Sequence, residues 1–237
     1  PPPPPPHFQA EDGIRDVIVR LVGSEMCIRD RAQYNLKQKL WTPAIPLLQR
    51  LETEANFPQN IIFAQSNLMK AYYQLKNYNE AVTYAEKVLT STKIDNKIKS
   101  DAQVIIARSA MKTGNENRAK TAYTEVEKVA TGETAAEALY YKAYFENKAA
   151  DYETSNASVQ KLAKDFSGYK YYSAKGLVLM AKNFYALGDA FQATYILESV
   201  IENFKTFDDV VSEAETQLNN IKKEEAKTNA SVVEPED

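Results

Sequence analysis

Small and large apolar residues return along this chain in a fixed frame. A small residue stands at Ala44, Ala81, Ala119, Ser155 and Ala193, with spacings of 37, 38, 36 and 38. Three positions earlier come Trp41, Tyr78, Glu116, Tyr152 and Ala190, aromatic in three of five cases. Four positions later come Leu48, Ala85, Tyr123, Val159 and Leu197, and seven later Leu51, Val88, Val126, Leu162 and Val200. Offsets of zero, four and seven share one face of a helix, so each anchor opens a buried stripe. Twelve before the anchors lie Ala32, Met69, Ala107, Ala143 and Ala181, followed three on, in the last four, by Tyr72, Ala110, Glu146 and Phe184. This predicts a second helix ahead of the first, with a small residue where two backbones approach. Gly114 and Gly188 stand five before their anchors, where the chain must turn through a left-handed residue. Pro58, Gly132–Glu133 and Ser167–Gly168 mark breaks between successive pairs.

A generic bundle does not need one side-chain frame to recur; a solenoid does, because each helix pair buries its apolar face only against the next. The expected fold class is all-α, an α-solenoid of about five antiparallel helix pairs. Helix, tight turn, helix, with small-x-x-aromatic in the first and Ala-x-x-x-large-x-x-large in the second, resembles the tetratricopeptide repeat, whose period is about 34 residues. The longer spacing is similar to long-helix variants in bacterial cell-envelope proteins of that family. The resemblance covers residues 32–203. Lys142, Glu146 and Ser155 depart from it in the fourth repeat, and the proline that commonly closes a repeat is mostly missing.

Both ends read differently from the array at 32–206. Residues 9–16, QAEDGIRD, resemble a translated sequencing flow-cell primer, and residues 21–31, LVGSEMCIRDR, a translated transposase adapter. The four residues between them fit a sample index in the same reading frame, and the six leading prolines fit a run of C. Residues 1–31 are therefore expected to be non-native and disordered, the alternative being a natural proline-rich leader. On that reading the front of the protein is lost, any targeting signal with it, and the first repeat frays. At the other end Val210, Val211, Ala214, Leu218 and Ile221 predict a capping helix over 207–226, with Asp208, Asp209, Glu213 and Glu215 facing water. Residues 227–237, polar and acidic, are expected to be disordered.

Composition narrows the function. The single His and single Cys fall in the segment set aside, so residues 32–237 lack imidazole and thiol chemistry, and no cofactor or metal is expected. The same stretch carries 25 Lys and Arg against 27 Asp and Glu, a balance without general attraction to nucleic acid or anionic membrane. No apolar run approaches the length of a membrane span. Carboxylate-only catalysis would rest on Glu133, Glu137 and Asp151, whose geometry nothing in the spacing fixes.

In tetratricopeptide arrays the first helices line a concave groove, and the resemblance implies that a peptide or partner protein binds there. Eleven before the anchors lie Gln33, Lys70, Arg108, Tyr144 and Lys182; eight before, Leu36, Tyr73, Met111, Asn147 and Tyr185; seven before, Lys37, Gln74, Lys112, Lys148 and Ala186. Lys70, Tyr73, Arg108, Lys112, Tyr144, Lys182 and Tyr185 are the candidate contacts. Interleaved cations and tyrosines suit an acidic partner, although Lys on an exposed helix is more often ordinary solvation. A non-enzymatic scaffold is expected; the alternative is an accessory repeat domain of a larger enzyme or sensor with its catalytic part upstream. The family resemblance leans towards the bacterial cell envelope, with the cytoplasm as alternative.

Overall fold

A computed structural model describes residues 25–232, with side chains through 227. The described residues form eleven helices: α1 Glu25–Lys37, α2 Trp41–Glu54, α3 Pro58–Gln74, α4 Tyr78–Thr90, α5 Asn96–Lys112, α6 Glu116–Val129, α7 Gly132–Lys148, α8 Tyr152–Asp165, α9 Lys170–Ala186, α10 Ala190–Asn203 and α11 Asp208–Val232. Each second helix of a pair opens on the residue three before its anchor. The anchors, the positions four and seven beyond them and those twelve before are all buried, none more than 2% exposed. The apolar frame is thus the packing frame.

The turn within each pair uses one device five times. The residue five before the anchor is left-handed in every case: Lys39, Lys76, Gly114, Ala150 and Gly188. Around it two backbone bonds close the first helix, as in Lys76 N–H to Tyr73 O (3.0 Å) and Asn77 N–H to Tyr72 O (2.9 Å). These bonds satisfy carbonyls that the helix end leaves over. The next residue then caps the second helix. Asn77, Asn115, Asp151 and Asp189 each accept a backbone N–H three positions on, whereas Leu40 offers no side-chain cap. One residue therefore ends one helix and starts the next, which keeps the turn short.

Two compact units divide the chain at residues 119 and 120. In the first, α1 to α5 each pack on the next, and α3 also meets α5. In the second, α7 to α11 do the same, with α9 also touching α7 and α11. Within each unit first helices meet first helices, and each second helix packs on the first helices before and after it, the solenoid pattern expected from the frame. A second small position, seventeen before the anchors, serves this packing: Ala64, Ala102 and Ala138, then Gly176. At Gly176 a Cβ would sit 3.1 Å from Val159 Cγ1 and 3.2 Å from Leu162 Cδ2, so α9 lies closer to α8 than alanine allows.

The ends differ from expectation in three ways. Residues 25–31 are helical where disorder was expected, because Ile28 lies one turn ahead of Ala32 and packs with Leu51 and Ala64. Glu25 and Arg29 also reach Asn60 (2.7 and 2.9 Å), tying α1 to α3. The rest of the segment 1–31 lies outside the described residues. At the far end the helix does not stop at 226 but runs to Val232, and only 233–237 of the expected tail lie outside the description. Val210, Ala214, Leu218 and Ile221 cover the last pair as expected. Asp209 and Glu213, however, do not merely face water. Asp209 accepts the Tyr171 hydroxyl (2.8 Å), and Glu213 pairs with Lys182.

Candidate binding face and its pockets

The candidate contacts fall in two sets, one per unit. In the first, Lys70 and Tyr73 lie on α3 and Arg108 and Lys112 on the adjoining α5. Lys70 is not a free cation, since its Nζ sits 2.5 Å from Asp101 on α5. Tyr73 is half-buried with its ring 5.7 Å from that of Tyr78, Arg108 is half-buried, and Lys112 is exposed.

In the second unit Tyr144 is on α7 and Lys182 and Tyr185 are on α9. Tyr144 sits edge-on to Phe145 (5.3 Å), with the Lys148 ammonium 5.6 Å from its ring. Lys182 pairs with Glu213, and Tyr185 donates to Glu224 at 3.4 Å. Both partners belong to α11, so the terminal helix already engages this part of the stripe. Desolvation, then the nearby carboxylates Glu224 and Glu225, raises the Tyr185 hydroxyl above its ordinary value. Tyr171, against Asp209, is pushed up to about 12, again mainly by desolvation.

A recess of about 410 Å³ opens between α3 and α5, beside the loop that precedes α5. Its cations are Lys70, Lys93 and Lys97, its only carboxylate is Asp101, and Ile62, Phe63 and Ile98 supply apolar wall. Lys70 occupies Asp101, while Lys93 and Lys97 are exposed and make no ion pair among the described residues. Ser66, 8% exposed, also lines it, and its hydroxyl has no hydrogen-bond partner. Two exposed ammoniums and a hydroxyl without a partner are hydrogen-bond donors that the fold leaves unused.

The three carboxylates considered for catalysis hold structural posts. Glu133 lies in the first turn of α7, where negative charge is favourable. Asp151 caps α8 by accepting from Thr154 N–H at 3.3 Å. Glu137 is 2% exposed and accepts the hydroxyls of Tyr123 (2.8 Å) and Tyr172 (3.0 Å). The aromatic run Tyr140–Tyr141 is likewise packing: Tyr141 stacks on Tyr123 at 4.2 Å, and burial drives the Tyr140 hydroxyl far above its ordinary range.

Known proteins place this architecture. Residues 176–206, from mid-α9 to just past α10, match the tetratricopeptide repeat family model. The fold is shared with the solved structure of MamA AMB-1 in crystal form P212121, at a TM-score of 0.58 and 11% identity, over 76% of this chain and 92% of that one. The chain has a tetratricopeptide-type helical-repeat fold, and residues 176–206 match the repeat itself. TTC0263, a thermophilic TPR protein in Thermus thermophilus, aligns with a TM-score of 0.45 and 15% identity, over 82% of this chain and 99% of that one. No curated protein sequence matches.

Within the repeat frame, the departure at Ser155 has a local cause. Ser155 stands at an alanine position because its hydroxyl donates to Ala143 O (2.8 Å) and accepts from Asn183 (2.8 Å). Asn183, fully buried, also reaches Asn156 and receives Asn147 Nδ2. Sequence reasoning missed this amide network and the lysine pair Lys93 and Lys97. Lys93 precedes α5 and Lys97 lies in its first turn, away from the positions eleven, eight and seven before the anchors. No helix among the described residues is long and apolar enough to cross a membrane.

Proposed function

We propose that this tetratricopeptide array is a protein-binding scaffold that takes an acidic segment of a partner protein against the first helices of its first unit. The recess at Lys70, Lys93, Lys97 and Ser66 carries the reading. Carboxylates entering it meet charge-assisted donors without first breaking an internal ion pair, since Lys93 and Lys97 are uncommitted. Tyr73, Arg108 and Lys112 extend the contact surface along α3 and α5. Lys182 and Tyr185 play a smaller part, because an acidic helix of the same chain engages them. That engagement illustrates how such positions accommodate acidic residues.

The test is fluorescence anisotropy with a labelled acidic peptide containing aromatic residues, beside the peptide with Lys for each acidic residue. Lys93→Glu/Lys97→Glu is the informative variant because it leaves the Lys70–Asp101 pair in place. The acidic peptide should bind wild type in a salt-sensitive way, and the variant should lose at least about tenfold in affinity, or about 1.4 kcal/mol. Equal binding of both peptides, or equal binding by the variant, refutes the reading.

A further inference from the structure

The basic recess at Lys70, Lys93 and Lys97 has a counterpart of opposite charge in the same sequence. Glu234, Glu236 and Asp237 form the only four-residue stretch of the chain with three carboxylates, and no Lys or Arg follows Lys227. The recess sets three lysines against Asp101 alone, and Lys70 already holds that carboxylate. The acidic segment continues from α11, which leads beyond the packed face of the last pair. The buried stripe of Val210, Ala214, Leu218 and Ile221 ends there, and residues 222–227 are all exposed. The helix runs on to Val232, roughly 16 Å past Ile221 at 1.5 Å per residue.

The same helix shows which frame positions suit its acidic residues. Glu213 pairs with Lys182 and Glu224 accepts from Tyr185, eleven and eight before an anchor. Lys70 and Tyr73 hold those two positions in the first unit. We infer that residues 234–237 of one molecule dock in the Lys70, Lys93 and Lys97 recess of a second copy of this chain. The inference rests on the acidic-segment reading of that recess and names its occupant. Carboxylates of the segment accept charge-assisted hydrogen bonds from Lys93 and Lys97, while Lys70 keeps Asp101 from repelling them. The contact joins two different surfaces, so it is heterologous and adds copies head to tail. A short segment on exposed cations makes it weak and sensitive to salt.

Sedimentation velocity of the full chain over a concentration series reads the self-association. The mean mass should rise with concentration at low salt and return to that of the monomer at high salt. Two variants break opposite ends of the contact. One is Glu234→Gln/Glu236→Gln/Asp237→Asn, which keeps the recess, and the other is Lys93→Glu/Lys97→Glu, which keeps the acidic segment. Each alone should need at least about tenfold more protein than wild type to associate. Mixed, they should form a one-to-one complex, because the recess of the first takes the segment of the second and neither extends further. A wild type that is monomeric at every concentration, undiminished association in either variant, or no complex on mixing overturns the inference. The labelled acidic peptide keeps the two claims apart. If it binds the neutralised-segment variant in a salt-sensitive way while wild type stays monomeric, the recess stands as a site and only this occupant falls.

Discussion

Ala150 and Gly188 hold the same place in successive turns, five residues ahead of Ser155 and Ala193, and both are left-handed, with φ of 60° and 88°. A left-handed L-residue costs roughly 1–2 kcal/mol, and glycine escapes that cost while losing about 0.5–1 kcal/mol more entropy on folding. Ala150→Gly should therefore stabilise the chain by about 0.5–1 kcal/mol. Urea denaturation checks this as a higher midpoint at unchanged slope. The converse, Gly188→Ala, should destabilise through the backbone alone, because a Cβ there would meet nothing within 4 Å. Equal midpoints for both variants and wild type would remove the argument.

Leu40 stands where Asn77, Asn115, Asp151 and Asp189 stand in the other turns, yet it is 47% exposed and caps nothing. Leu40→Asp supplies the missing acceptor at the start of α2 and should add about 1 kcal/mol. The gain is local, so hydrogen exchange of the first α2 amides is the sensitive measurement. They should exchange several-fold more slowly than in wild type.

Leu197 is fully buried among Val178, Ala181, Val200, Val210 and Ala214. Leu197→Ala should cost about 2–5 kcal/mol and Leu197→Asp at least as much, because the second also buries an unpaired charge. An unchanged melting curve for Leu197→Asp would show that this face of α10 is not the packed one.

These tests show where the chain announces its structure and where it does not. Ala81, Val88 and Ala107 reveal their burial through spacing alone, because a helix converts sequence period into a face and an array repeats that face. Gly114 and Gly188 likewise reveal the turn, since glycine is the cheap residue for a left-handed site. Lys39, Lys76 and Ala150 adopt the same conformation without declaring it, held there by the helices on either side. Partnerships were harder to read. Lys70 and Asp101 are 31 residues apart, as are Lys182 and Glu213; the first pair joins α3 to α5 and the second joins α9 to the terminal helix α11. A stripe of cations viewed alone hides the carboxylates that answer it. The helical order of residues 25–31 is legible only where Ile28 is read as continuing the buried stripe of Ala32 one turn earlier.

The buried carboxylate of Glu137 depends on two tyrosine hydroxyls, and Tyr172→Phe removes one of them without changing ring volume. The loss should be about 1.5–3 kcal/mol, the range for a hydrogen bond to a charged group. A double-mutant cycle with Glu137→Leu isolates the contact. If Tyr172→Phe costs as much in the Glu137→Leu background, the stabilisation lies in ring packing with Tyr140 or Tyr171 and not in the hydroxyl.

Glu146 links stability to pH with a definite sign. Desolvation raises its folded-state value above the ordinary 4.5; Asp151 and Glu127 act in the same direction, and Ser158 and Lys142 oppose them. A carboxylic acid with a raised folded value binds its proton more tightly when folded. Its contribution is thus fully present below 4.5 and is lost as pH rises through the folded value. Wild type should lose stability relative to Glu146→Gln across that window, and the difference should level off above it. Urea midpoints for both proteins at a series of pH values give this difference directly, with Lys120, Lys142, Glu127 and Asp151 common to both. A difference independent of pH would mean that Glu146 is solvated or paired in solution.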